Sequence, residues 1–161
     1  MKKTKIYLDT SVINYLDAPH MPQHMQDTVD LWECFVSGER FEVVISEVVE
    51  REILACSTPK RDILVNRMAE VRYSLIRRTS EILDLTNCYV EFGVLSKNNL
   101  NDLSHIAHAT VSGCKLILSW NFKHFVNYKT MDRVNAVNLL QGYDAVRIAS
   151  PSMIMGELAN E

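Results

Sequence analysis

Three carboxylates stand in segments where a folded chain has little packing use for them. Asp9 follows Lys5 to Leu8, a short apolar, β-prone run, and so falls at the carboxyl end of an expected strand. Open α/β sheets gather ligands there. An Asp after a strand also caps the following helix, so Asp9 alone leaves both roles open. Glu52 is more telling. On a helical wheel with Val48 at zero it projects to about 40°, and Cys56 to about 80°, inside the apolar arc; Glu47 and Glu50 fall near 260° and 200° and can stay in water. A carboxylate on a buried face costs on the order of several kcal/mol unless a cation or hydrogen bonds compensate it. An ion pair with an arginine is one such compensation. Asp102 repeats the pattern, with Ile106 about 40° and Ala109 about 340° from it, while a first-turn position also suits its charge to the helix dipole. His105 and His108 project to about 300° and 240°, which predicts surface or boundary positions.

Carboxylates from separate segments that converge repel one another, and a hard cation relieves the repulsion. Mg²⁺ or Mn²⁺ held by a few carboxylates keeps several waters, leaving positions for a phosphodiester. The metal lowers the pKa of a bound water and holds charge on the leaving oxygen, so hydrolysis needs no nucleophilic side chain. The LDTS sequence after the first strand also fits an aspartyl-phosphate phosphatase with Asp9 as nucleophile. That chemistry wants an acid two residues on, where Ser11 stands.

The elements that must position these groups alternate. After the strand ending at Leu8, Thr10 or Ser11 can cap a helix carrying Val12, Ile13 and Leu16. Residues 24 to 37 have helical spacing and stop at Gly38; Phe41 to Ile45 is a strand; Ser46 caps a helix to about Ala55. Thr58 and Pro59 open a helix whose apolar series runs through Ile63, Leu64, Met68, Val71, Leu75 and Ile76. A strand at 81 to 86, a helix at 88 to 96 and a polar loop at 97 to 101 follow. Asn101 then caps a helix over 102 to 112, stopped by Gly113; a strand Leu116 to Leu118, a helix near 130 to 141, a strand Val146 to Ala149 and a helical turn from Pro151 complete the chain. This order predicts one domain over 1–161, with helices on both faces of a mostly parallel sheet.

Composition sets bounds. Apolar residues make up 47% and charged residues 23%, too apolar for a disordered chain. A net charge of −3 leaves out the overall basic surface that would by itself signal nucleic-acid binding, although Lys2, Lys3 and Lys5, or Arg77 and Arg78, can attract phosphates locally. The four cysteines form no CxxC pair and the five histidines no local ligand spacing, which argues for reduced core thiols and against zinc. The amino-terminal apolar run is broken by Asp9 and no segment approaches a membrane span, so the expected location is cytoplasmic.

Together these segments resemble the PIN-domain family, including the VapC-like toxin nucleases of toxin–antitoxin pairs. The similarity rests on IYLDTSVI, ISEVVEREI, NDLSHIAHATVSGCKLIL and SWNFKHF in that order, with the tail GYDAVRIASPSMI. It implies a three-layer α/β/α fold with a central mostly parallel sheet and a metal-dependent endoribonuclease, the toxin of a type II pair. Its Mg²⁺ or Mn²⁺ would be held by Asp9, Glu52 and Asp102. Asn121 would join them in the catalytic set, and Thr10, Ser11 and His124 would support it. The implied partners are RNA, a small antitoxin protein and a second copy of the chain. The fourth motif departs from the family, whose members commonly place Asp at the position of Asn121 or of His124. That departure puts a second metal ion in question, leaves Asn121 open to a turn-capping role, and keeps an RNA-binding or protein-interaction domain without catalysis as the alternative.

Overall fold

A computed structural model describes residues 2–161. Five strands form one sheet: β1 (Thr4–Leu8), β2 (Phe41–Ser46), β3 (Tyr73–Ile76), β4 (Leu116–Leu118) and β5 (Arg147–Ala149). The order across the sheet is β3-β2-β1-β4-β5, and every pairing is parallel. Among the described residues eight α-helices connect and cover it: α1 (Thr10–Asn14), α2 (Pro22–Ser37), α3 (Glu47–Leu54), α4 (Lys60–Met68), α5 (Ser80–Glu91), α6 (Leu100–Val111), α7 (Tyr128–Leu140) and α8 (Pro151–Ala159). This is the expected α/β class with helices around a parallel sheet. Ile6, Tyr7 and Leu8 of β1 and Ile117 and Leu118 of β4 are fully buried, as strands covered on both faces must be.

Local chemistry sets most of the boundaries. Ser46 and Thr79 cap α3 and α5 by accepting the amides of Val48 and Ile82. Gly38 ends α2 at a φ of 68°, a left-handed conformation open to glycine without a Cβ penalty.

One region departs from the sequence expectation. The helix begun near Pro59 ends at Met68, and Tyr73–Ile76 is the edge strand β3, paired to β2 with Val43 opposite Tyr73. The strand expected at 81 to 86 lies instead within α5, whose Ile82, Leu85, Thr86 and Tyr89 are buried at helical spacing. The third strand is thus one segment earlier than the pattern suggests. Leu75 and Ile76 fit a helical series by coincidence of spacing, and pairing with β2 overrides it. The loop expected at 97 to 101 is a 3-10 turn, Lys97–Asn99, and α6 begins just after it.

No helix among the described residues is long and apolar enough to cross a membrane.

Candidate active site

The strand order reverses direction between β1 and β4, the switch point at which parallel sheets open a crevice beyond their carboxyl ends. Leu8 pairs with Leu118, so one residue further Asp9 and Ser119 stand side by side. The same register places Ser46 at the end of β2 and Ser150 just beyond β5. A row of short polar side chains therefore lines this end of an otherwise apolar sheet.

Asp9 is only 5% exposed and is held firmly. The hydroxyls of Ser11 and Ser119 each donate to its Oδ2 at 2.8 Å. Ser11 Oγ in turn accepts from the Trp120 amide, and Ser119 Oγ from the Asn121 amide, both at 2.9 Å. Asp9 Oδ1 remains toward His105, with Nε2 at 3.5 Å.

Glu52, on α3, meets the same ring: its Oε1 lies 2.8 Å from His105 Nε2. Its side chain is 35% exposed, and among the described residues no arginine pairs with it. Burial raises its pKa, but hydrogen bonding and charge from His105, with help from Thr10 and Arg51, hold it below the ordinary 4.5. For His105, burial lowers the pKa. The hydrogen bond to Glu52 and the charges of Asp9, Glu52 and Asp102 more than offset it, leaving the imidazole above its ordinary 6.5. On its other side His105 Nδ1 is 2.6 Å from Tyr7 Oη, itself 2.7 Å from Ser46 Oγ. Thr10 Oγ1 lies 3.5 Å from His105 Nε2.

Asp102, in the first turn of α6, keeps a 24% exposed side chain whose Oδ2 is 2.7 Å from His124 Nδ1. Burial raises its pKa most. The bond to His124 opposes that, and the charge of Asp9 adds to it, leaving the carboxyl above its ordinary value. Asp9 and Asp102 thus face one electrostatic neighbourhood from two elements. Asn121 does not present its carbonyl to that neighbourhood: Oδ1 accepts the His124 amide at 2.8 Å and shapes the turn. Behind it, Trp120 donates to Thr28 Oγ1 and stacks on His24 with ring centroids 4.2 Å apart, anchoring this loop on α2.

His105 overturns the surface position that the wheel assigns to it, and so does His108. Both are buried, because α6 packs against α5 on one side and against α3, β2 and β4 on others, leaving little wet face. His108 donates from Nδ1 to the Ser104 carbonyl, and burial lowers its pKa. Sequence reasoning also misses Tyr7 and Ser119. Both carry a usable signal: a tyrosine inside an apolar strand must find a partner for its hydroxyl, and a serine just after a strand parallel to β1 stands beside Asp9.

Among the described residues, no three acidic, histidine or cysteine side chains are grouped closely enough to hold a metal ion as they are placed. The donor chemistry nevertheless suits a hard cation. Asp9, Glu52 and Asp102 all offer carboxylate oxygens, and all three charges act on His105.

No protein-family model matches the chain, and no curated protein matches it. Among solved structures it is similar to a chain of VapBC2 from Rickettsia felis, described as bound to a DNA fragment from their promoter. The TM-score is 0.58 at 15% identity, over 91% of this chain and 98% of that one. The fold is PIN-like. At that identity the likeness speaks for the fold alone, and the chemistry rests on this chain's own residues.

Proposed function

We propose that this chain is a metal-dependent endoribonuclease that hydrolyses RNA phosphodiester bonds, acting as the toxin of a type II toxin–antitoxin pair. The observation that carries the reading is the convergence of Asp9 and Glu52 on one buried imidazole at the sheet's switch point, with Asp102 in the same field. Asp9, Glu52 and Asp102 would hold Mg²⁺ or Mn²⁺. Such an ion, when bound, supplies a water of lowered pKa and a counter-charge for the leaving oxygen. The chain's own groups do the positioning. Ser11 and Ser119 fix one oxygen of Asp9 and leave the other toward His105. His105, oriented by Tyr7 and Ser46, keeps Asp9 and Glu52 together against their repulsion. His124 orients Asp102. Support for an antitoxin partner comes from the similar fold of a VapBC2 chain, and a homodimer is the assembly the motif resemblance suggests.

The second reading is a PIN-like domain that binds RNA or protein without cleaving. It is favoured by the absence of a fourth acid at Asn121 and of a ready-grouped ligand set among the described residues. One experiment separates the two. Purified protein is incubated with labelled single-stranded RNA in Mn²⁺ or Mg²⁺ and in chelator, beside Asp9→Asn. Cleavage that requires metal and is lost in the variant supports the nuclease. Binding without cleavage under every metal condition leaves the second reading.

A further inference from the structure

A groove of about 530 Å³ opens beside the carboxylates, between the end of α5, the segment after it and the start of α7. Lys97, Lys123, Lys129 and Arg133 line it, and among the described residues no Asp or Glu does. In a chain of net charge −3 that concentration of one sign is unusual. All four cations are exposed, and among the described residues none pairs with a carboxylate; Arg133 donates to the Gly93 carbonyl. The amino terminus of α7, a helix of 13 residues, adds the positive end of its dipole, with Asn127 and Thr130 on the groove wall. The floor, from Val90, Val94 and Leu95, is apolar.

The groove adjoins the candidate active site through two short links. Lys123 precedes His124, which bonds Asp102, and the turn carrying Lys97 also carries Asn99, whose side-chain Nδ2 lies 3.4 Å from His124 Nδ1. Three carboxylates repel a phosphodiester until a metal neutralises them, so a strand needs a separate cationic surface to be held. Four exposed, dispersed cations over an open groove suit successive phosphates of a chain better than one anion, which requires convergent, enclosed donors.

We infer that the Lys97, Lys123, Lys129 and Arg133 groove binds the phosphodiester backbone of a single RNA strand beside the scissile bond. The choice of RNA as the polymer rests on the nuclease reading of the neighbouring carboxylates; the cationic groove does not.

The test measures binding rather than cleavage. A labelled single-stranded oligoribonucleotide of about twelve nucleotides, within the usual footprint of such sites, is titrated in chelator at several salt concentrations. Lys123→Glu combined with Lys129→Glu should weaken binding roughly tenfold or more at low salt. It should also flatten the plot of log Kd against log salt by about 0.7 for every phosphate that the protein no longer neutralises. Lys2→Glu combined with Lys3→Glu makes the same charge change next to the amino end of β1, away from the crevice, and should stay within about twofold. Equal weakening by both pairs would reduce the effect to net charge and overturn the groove. So would unchanged binding in the Lys123 and Lys129 pair, or displacement of the oligonucleotide by millimolar inorganic phosphate. The Lys123→Gln, Lys129→Gln pair, checked by melting temperature, guards against misfolding and should give a smaller loss in the same direction. If the wild type never cleaves RNA yet binds it through these lysines, the nuclease reading fails and the groove stands. If it cleaves RNA with affinity indifferent to them, the groove fails and the nuclease stands.

Discussion

Asp9 and Asp102 are the same chemical group on two sides of one crevice, and their surroundings differ in kind. Asp9 is nearly sealed, receives two serine hydroxyls on one oxygen, and sits in a ladder that continues into the sheet through its own amide on the Leu118 carbonyl. Asp102 is partly open, has a histidine from a turn as its partner, and is pushed toward its neutral form by burial and by the charge of Asp9. One is a fixed anchor built into the fold. The other is an acid the fold tolerates at some cost, which is what a site that gains by binding a cation would carry.

The largest effect is expected where the anchor is altered. Asp9→Asn keeps the shape but offers only one acceptor oxygen and no charge, so RNA cleavage in Mn²⁺ should fall at least about a hundredfold. Stability should also fall, by about 1–3 kcal/mol, as two hydroxyls lose an ionised acceptor. Denaturant melts in chelator and initial cleavage rates measure both. Asp102→Asn should abolish cleavage to a similar degree and yet leave the metal-free protein as stable or more so. The sign follows from the raised pKa: an acid whose folded pKa exceeds its unfolded one costs stability once ionised, at all pH values above the folded pKa. Removing the charge removes that cost. A marked loss of stability in Asp102→Asn would erase the contrast between the two aspartates.

Ser119→Ala tests the anchor from behind. It deletes one of two hydroxyls on Asp9 and the acceptor for the Asn121 amide, and should lower cleavage or metal affinity by roughly 10- to 100-fold while leaving a folded protein. A variant indistinguishable from wild type in metal titration would mean that Asp9 is held by other means.

The His105 and Glu52 pair predicts a pH window for the metal-free protein. Glu52, with its pKa lowered, contributes stability above 4.5 that is lost as pH falls through its folded value. His105, with its pKa raised, contributes stability below 6.5 that is lost as pH rises through its folded value. Melting temperature in chelator should therefore be highest between these limits and decline on both sides. His105→Gln, which cannot titrate, should remove the alkaline decline. Persistence of that decline in the variant would assign it to another group.

How much of this is legible in the sequence depends on what each residue's neighbours are. Asp9 and Ser46 lie beside elements with strong local signals, a short β-prone strand and a capped helix, so their positions follow from the sequence around them. The wheel turns Glu52 inward, and the residue is half-buried against His105 rather than an arginine. The same construction misplaces His105, since a wheel presumes one wet face and α6 has almost none. Ser119 and Tyr7 carry a local signal, a polar group in or just after an apolar strand, but which groups they meet follows only from the parallel register of β1 with β4 and the packing of α6. The misplacement of β3 has the same origin: an edge strand of four residues is defined by its partner.

The smallest effect is expected at Asn121, which the resemblance puts in the catalytic set and the geometry puts in a turn. Asn121→Asp retains the oxygen that accepts the His124 amide, so the loop should keep its shape. The exchange adds one negative charge near Asp9 and Asp102 without aiming a new oxygen between them. In chelator that charge should lower the melting temperature slightly, through repulsion in a partly solvated setting. With metal present the same charge attracts the cation, so half-maximal Mn²⁺ for cleavage should fall by about threefold or less, roughly 0.7 kcal/mol. A fall of a hundredfold would mean that residue 121 reaches the ion as a ligand. The turn would then be a feature of the metal-free state alone, and the loop after β4 would belong with Asp102 as an adjustable part of the crevice.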